Sequence, residues 1–299
     1  MLCKQTFRFF AFVLIMLSAT ANSQAQVDTT RVYTFGDSLT DNDYLYLLFG
    51  TPPEIYGADP MQLAFEKAAS PGDQLTNFAV LGSRTNEILG QVSEYHHKRA
   101  KGKIPTATLV SLQGGGNDLI DLQNSSANLF LLASAAPGES LAADKIINDA
   151  RRNLLESIQL LQRRGRPQIV LWTVPDVSLS PYVLSLGFST EQLDNIRAHN
   201  SRLNRSIRNM GRRSNIAILD ISKLQRALTL TPPTIQGVVI QPTPAFGFAT
   251  AQFADPIHPT AVMNGLVANE LIFEMNWEFC DNVPFYSELE LAEMAGLLP

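Results

Sequence analysis

The stretch VYTFGDSLTDN, Val32 to Asn42, carries a serine directly after an apolar, β-branched run. A hydroxyl at the end of a buried strand is a candidate nucleophile, but serine attacks only when a base takes its proton. In isolation Ser38 reads equally as a turn residue or a cap on a following helix. The four histidines are the candidate bases. His96 and His97 lie in the basic run YHHKRAKGK, and His199 lies inside a helical pattern, where a surface or helix-contact role is expected. His258 is different. It sits in FADPIHPT between two prolines, which force extended or turned backbone, so it belongs to a loop. Asp255 stands three residues earlier, close enough for one turn to present both groups, with the carboxylate orienting the imidazole. The bland alternative is a turn aspartate beside an exposed histidine.

An acyl-transfer nucleophile also needs donors where negative charge develops. Gly114, Gly115 and Gly116 follow the strand-like TLVSLQ and let backbone pass close to a ligand. Asn117 then offers a side-chain N–H. Gly82, in NFAVLGSRTNEI, offers a backbone N–H after another strand-like run. The N–H of Ser38 itself, at an expected helix N-terminus, is a third donor. Each feature alone fits a tight turn or a cap; in this order, all at strand ends, they fit an acyl-transfer site.

The elements that must position these groups alternate. Strand-like runs fall at Val32–Phe35, Thr76–Phe78, Thr108–Gln113, Gln168–Val174 and Asn215–Asp220. All are short, apolar and bounded by turn residues, as in a buried parallel sheet. Helical periodicity marks Ala142–Arg164 and Thr190–Met210. The pattern predicts an α/β fold: a three-layer α/β/α sandwich on a central, mostly parallel sheet, flavodoxin-like in outline. Ligands in such sheets bind beyond the carboxyl ends of the strands. That puts Ser38, Gly82, Gly114–Asp118 and the VPDVS of Val174–Ser178 on one rim. Thr231–Phe248, rich in proline, glycine and threonine, reads as a surface loop. Pro284–Pro299 reads as an acidic tail with at most one short helix. The long stretches Asp41–Leu75 and Thr231–Phe253 are expected to shape substrate pockets.

Lys4 and Arg8 are the only charges before residue 26, and they flank a short apolar run and a small-residue exit. That composition predicts a signal peptide over residues 1–25, and export to the periplasm or beyond, followed by a single domain over 26–299. The chain's net charge is −5, or −7 without those two cations. Such a balance argues against a general nucleic-acid binder. No later segment is long and apolar enough to span a membrane. Beyond the leader only Cys280 remains, so no intrachain disulfide can form and stability must come from a core. NSS at Asn124 and NRS at Asn204 match the glycosylation sequon.

The assembled motifs resemble the GDSL esterase/lipase family of the SGNH hydrolase superfamily, in its larger lipase-like branch. FGDSLTD at Phe35–Asp41 is similar to the family's first block. NFAVLGS at Asn77–Ser83 is similar to the second, with the family glycine at Gly82. GGGND at Gly114–Asp118 is similar to the third, with the family asparagine at Asn117, and DPIHPT at Asp255–Thr260 to the last. VPDVSLSPY, RAHNSRLNRSI and AILDI carry weaker likenesses. The segment Thr51–Pro60 departs from the family pattern, because it lacks an asparagine- and glycine-rich stretch. The cysteine usual in plant relatives is also absent. The resemblance implies a carboxylic ester hydrolase with Ser38, His258 and Asp255 as the triad and Ser38, Gly82 and Asn117 as the oxyanion hole. It implies no metal or cofactor. The substrate would be a small-molecule or lipid ester, with lipid acyl transfer or deacetylation of carbohydrates as alternatives on the same site. Two rival classes fit the residues less well. A metallophosphoesterase needs more carboxylates and histidines, and here no DxH precedes GDS. A non-catalytic binding protein on a hydrolase fold would show a decayed site, and here every member is present.

Overall fold

The computed structural model describes residues 26–41, 45–163 and 165–298. The expected leader, residues 1–25, lies outside the described residues. The strands of the central sheet are β1 (Arg31–Phe35), β2 (Gln74–Asn77), β3 (Leu109–Leu112), β4 (Gln168–Trp172) and β5 (Ile216–Leu219). Between β1 and β2 lie α1 (Leu45–Phe49), α2 (Pro53–Tyr56) and α3 (Pro60–Ala68), and α4 (Thr85–Ala100) joins β2 to β3. The β3–β4 connection holds α5 (Gly116–Ile120), α6 (Ala127–Ala133) and α7 (Leu141–Gln162). The β4–β5 connection holds α8 (Pro181–Ser185) and α9 (Thr190–Met210). After β5 come α10 (Ile221–Leu230), β6 (Thr234–Ile235), β7 (Val238–Val239), β8 (Gln241–Phe246), β9 (Ala251–Phe253), α11 (Ala261–Phe279) and α12 (Glu288–Met294).

The sheet order is β2-β1-β3-β4-β5, and every neighbouring pair is parallel. Successive strand residues point to opposite faces, and both faces are covered. Tyr33, Phe35, Val110, Leu112, Ile169 and Leu171 pack with residues of α4, α7 and α9. Val32, Leu109, Val170, Trp172 and Leu219 pack with residues of α3 and α11. The expected α/β/α sandwich is thus present, and all five expected strands form within a few residues of their predicted bounds. α9 spans the predicted range, while α7 runs Leu141–Gln162 and Arg164 lies outside the described residues.

Two expectations need correction. Thr231–Phe248 is not an unstructured loop: it holds the β6–β7 hairpin and β8, which pairs with β9. Its threonines and valines are good strand formers once a partner backbone is at hand. Asp41–Leu75 is not an open loop either. It carries three helices, and the last two have proline at their first position, where its missing N–H costs nothing. The tail does form a single helix, α12, begun by a capping box of Ser287 and Glu290.

Candidate active site

β1 delivers Ser38 to the carboxyl edge of the sheet. Ser38 does not start a helix there. Thr40 N–H bonds Asp37 O at 3.0 Å and Leu39 N–H bonds Asp37 Oδ1 at 3.1 Å, so the chain closes into a tight turn. An aspartate that bonds the backbone two residues ahead competes with helix formation, and residues 38–41 are not helical. The expected dipole contribution at the Ser38 N–H is therefore absent.

The turn is held by carboxamides. Gln91 of α4 accepts from Gly36 N–H at 3.0 Å and donates to Gly36 O at 2.9 Å. Gln113, one residue past β3, accepts from Asp37 N–H at 3.0 Å. Asn77 Nδ2–H donates to Thr40 O at 2.6 Å. Gly36 is required by space: a Cβ there would stand 2.4 Å from Thr40 Oγ1 and 2.7 Å from Gln113 Oε1.

The candidate base, His258, arrives from the far end of the chain. Asp255 to His258 turn between β9 and α11, with Ala254 N–H bonded to His258 O at 2.8 Å. His258 Nε2 lies 2.8 Å from Ser38 Oγ, and His258 Nδ1 lies 2.7 Å from Asp255 Oδ2. Asp255 Oδ1 accepts the N–H groups of Ile257 and His258 at 2.7 and 2.8 Å. All three side chains are buried. Burial alone would raise the Asp255 carboxyl, yet the His258 ring and these two N–H groups outweigh it and hold the carboxyl below its ordinary value. The carboxylate is thus ionised and acts as a fixed anion behind the imidazole.

Sequence reasoning missed Tyr56. Its hydroxyl donates to Asp255 Oδ2 at 2.8 Å, across 199 residues of chain, and the side chain is buried. It comes from α2, inside the Thr51–Pro60 segment that departs from the family pattern. Burial first, and the hydrogen bond to Asp255 second, push its phenol well above the usual value, so it stays a donor. Phe49 of α1 meets the His258 ring edge-on, with centroids 5.2 Å apart.

The expected donors are placed unevenly. Asn117 lines the same cleft as Ser38 and His258, a hollow partly open to solvent. Its Nδ2 donates to Ser83 O at 3.1 Å, and its amide also bonds the Asp37 carboxylate. Gly82 is not a wall of that cleft. It lies in the adjoining loop with φ of +79°, a left-handed conformation that favours glycine. That loop is tied to the Ser38 turn: Val80 N–H bonds Gly36 O at 3.2 Å, Leu81 N–H bonds Asp41 Oδ2 at 3.1 Å, and Gln91 donates to Ser83 Oγ at 3.1 Å. Among the described residues, the N–H groups of Ser38 and Gly82 have no protein acceptor. Burial pushes the Asp37 carboxyl above its ordinary value, opposed by the Leu39 N–H and the Gln113 amide. Burial likewise pushes Asp118, bonded to Thr85 N–H and Oγ, up to about 6.

The VPDVS segment forms another cleft wall through Pro175, Asp176 and Val177. Asn204 bonds both Val174 N–H and O at 2.7 Å, and Asn200 accepts from Val177 N–H at 3.0 Å. Asn204 is thus buried and occupied, so of the two sequons only that at Asn124 stands exposed. His199 is a buried helix-contact residue bonded to Ala135 O, as expected for its position. No helix among the described residues is long and apolar enough to cross a membrane.

Comparison with known proteins decides the family. The model of the GDSL-like lipase/acylhydrolase family matches residues 32–271. The chain belongs to that family. This GDSL protein is accordingly a hydrolase acting on ester bonds. Solved structures similar to it include a possible lipase from Chitinophaga pinensis, at 16% identity and TM-score 0.49, covering 81% of this chain and 96% of that one. Phospholipase A1 from Streptomyces albidoflavus matches at 15% identity and TM-score 0.47, over 84% and 100%. An extracellular lipase from Streptomyces rimosus matches at 17% and 0.47, over 83% and 99%. No curated protein sequence matches the chain.

Proposed function

We propose that this GDSL hydrolase is an exported serine esterase or lipase that cleaves carboxylic esters through Ser38, His258 and Asp255. The observation that carries the reading is the unbroken relay from Ser38 Oγ to His258 Nε2 at 2.8 Å and from His258 Nδ1 to Asp255 Oδ2 at 2.7 Å. In the first half-reaction Ser38 Oγ attacks the ester carbonyl and passes its proton to His258 Nε2. The tetrahedral oxyanion takes hydrogen bonds from the Ser38 and Gly82 N–H groups and from Asn117 Nδ2–H, which exchanges one of its bonds, to Ser83 O or to Asp37, for the oxyanion. Collapse breaks the ester C–O bond, and His258 returns the proton to the departing alkoxide. A water molecule, deprotonated by His258, then attacks the acyl-serine, and the acid leaves as Ser38 regains its proton. Asp255, ionised throughout, orients the ring and stabilises its charged form. Export rests on the leader-like composition of residues 1–25.

The test is turnover of p-nitrophenyl acetate by the purified protein beside Ser38→Ala. Activity should vanish in the variant while its thermal melt is retained. A Ser38→Ala protein that keeps a tenth of wild-type turnover would remove Ser38 from the chemistry.

A further inference from the structure

Asn264 is a buried amide with only one end bonded. It stands in the first turn of α11, just after the His258 loop, and is 3% exposed. Its Nδ2–H donates to Tyr56 O at 2.9 Å. That bond fixes which way the amide points, since the reversed amide would set oxygen against oxygen. Its Oδ1 is buried and, among the described residues, receives no donor. Buried acceptors in folded proteins find a donor from the protein or from water. Asn264 lines a small hollow together with Leu39, Leu45, Pro259, Ser38 and His258. Ser38, Leu39 and His258 also line the Ser38 cleft, so the hollow borders the cleft at the serine and the imidazole. The side-chain donors around it are committed elsewhere: Ser38 Oγ–H to His258 Nε2, and Tyr56 O–H and His258 Nδ1–H to Asp255. The side chains of Leu39, Leu45 and Pro259 are apolar. The space has room for about one water molecule. An occupant must therefore donate a hydrogen bond and be no larger than water.

We propose that Asn264 Oδ1 seats the water molecule that deacylates Ser38. The proposal rests on the hydrolase reading above and deepens it, by assigning the residue that positions the second nucleophile. Once Ser38 Oγ carries the acyl group, His258 Nε2 is free to accept from water. Water has two O–H bonds. One points to His258 Nε2; it breaks as the oxygen attacks the acyl carbon, and its proton goes to Nε2. The other is held by Asn264 Oδ1 and stays on the oxygen, which leaves as the hydroxyl of the acid. The C–O bond to Ser38 breaks, and Nε2 gives the proton back to Ser38 Oγ. With both hydrogens placed, a lone pair of the oxygen is left to face the acyl carbon.

Methanol tests the assignment because it has a single O–H. It can donate to His258 Nε2, but it carries a methyl group where water has its second hydrogen, so it gains nothing from Asn264. In aqueous methanol the acetyl-enzyme formed from p-nitrophenyl acetate divides between acetate and methyl acetate. The product ratio reads that division whichever half-reaction limits turnover. Asn264→Leu nearly keeps the volume and removes the acceptor. It should raise the ratio of methyl acetate to acetate about tenfold, the factor for one hydrogen bond to the reacting water. Circular dichroism confirms that the variant is folded. A residue that serves the fold alone would slow water and methanol alike, and an unmoved ratio overturns the proposal. The wild-type protein supplies a measurement that needs no variant. Its crystal structure should show a water within about 3.2 Å of Asn264 Oδ1, and a dry hollow overturns the proposal even where Asn264→Leu does not fold. Ser38→Ala separates the two readings. If it retains wild-type turnover, the hydrolase reading fails and the role of Asn264 with it. If turnover depends on Ser38 but Asn264→Leu leaves the ratio unmoved, only the role of Asn264 falls.

Discussion

Tyr56→Phe removes a single hydroxyl and leaves the buried ring in place. In the native protein Asp255 Oδ2 accepts two donors, Tyr56 O–H at 2.8 Å and His258 Nδ1–H at 2.7 Å, while Oδ1 accepts two backbone N–H groups. The variant takes one donor from a carboxylate that is 1% exposed. A hydrogen bond to a charged group is worth roughly 1.5–3 kcal/mol. If all of it orients Asp255 against His258 in the transition state, kcat falls about 10- to 100-fold, at about 1.36 kcal/mol per decade. The part expressed in folding instead lowers the melting temperature by roughly 2–4 °C per kcal/mol. A second consequence separates positioning from mere packing. A positioning role lowers kcat while KM for a short ester stays unchanged within about threefold; packing alone moves only the melt. The assay is steady-state kinetics with p-nitrophenyl acetate, beside a thermal melt. A variant that melts lower but keeps kcat within twofold would refute the argument and leave Tyr56 a residue of the fold alone.

Asn117→Ala should lower kcat by about 10²–10³ with little change in KM, as for loss of one oxyanion donor; a raised KM with kcat intact would move Asn117 to substrate binding. Glu274 tests the fold rather than the site. Burial, with Glu270 adding to it, pushes its carboxyl up to about 7. A carboxyl raised in the folded state contributes stability that is fully present below its unfolded value near pH 4.5 and lost as pH rises through about 7. Glu274→Gln should then melt higher than wild type at pH 8 and show a smaller fall in melting temperature between pH 5 and pH 8; identical pH dependence in the two proteins would contradict it.

The strands were legible because each is a short apolar run, and a sheet buried on both faces needs nothing else. α7 and α9 were legible because each has one apolar and one polar face. α11 had no such signal. Residues from Ala261 to Phe279 are buried around most of the helix, so no polar stripe gives it a period. Ser38, Asn117, Asp255 and His258 were legible through local chemistry: a strand end, a glycine run, a proline-bracketed loop. The helix expected at Ser38 was wrong because Asp37 bonds the turn from within. Tyr56 left no local trace, since its role exists only once α2 reaches the His258 loop. Gln91 and Gln113 were invisible for another reason: their type and spacing are ordinary, and only their bonds to Gly36 and Asp37 distinguish them.

Those glutamines belong to a wider choice of material. Gln91, Gln113 and Asn77 hold the nucleophile turn, while Asn200 and Asn204 hold the opposite cleft wall. A carboxamide both donates and accepts, so one side chain can satisfy the N–H and the C=O of the same residue, as Gln91 does at Gly36 and Asn204 at Val174. It also carries no titratable proton. A turn held by ion pairs would loosen as its partners neutralised with a change of pH. Buried amide bonds are indifferent to that change. The carboxyls near Ser38 are Asp255, held below its ordinary value by its donors, Asp37 and Asp118, both raised by burial, Asp41, which accepts from Leu81 N–H, and Asp176 of the cleft wall, paired with Arg197.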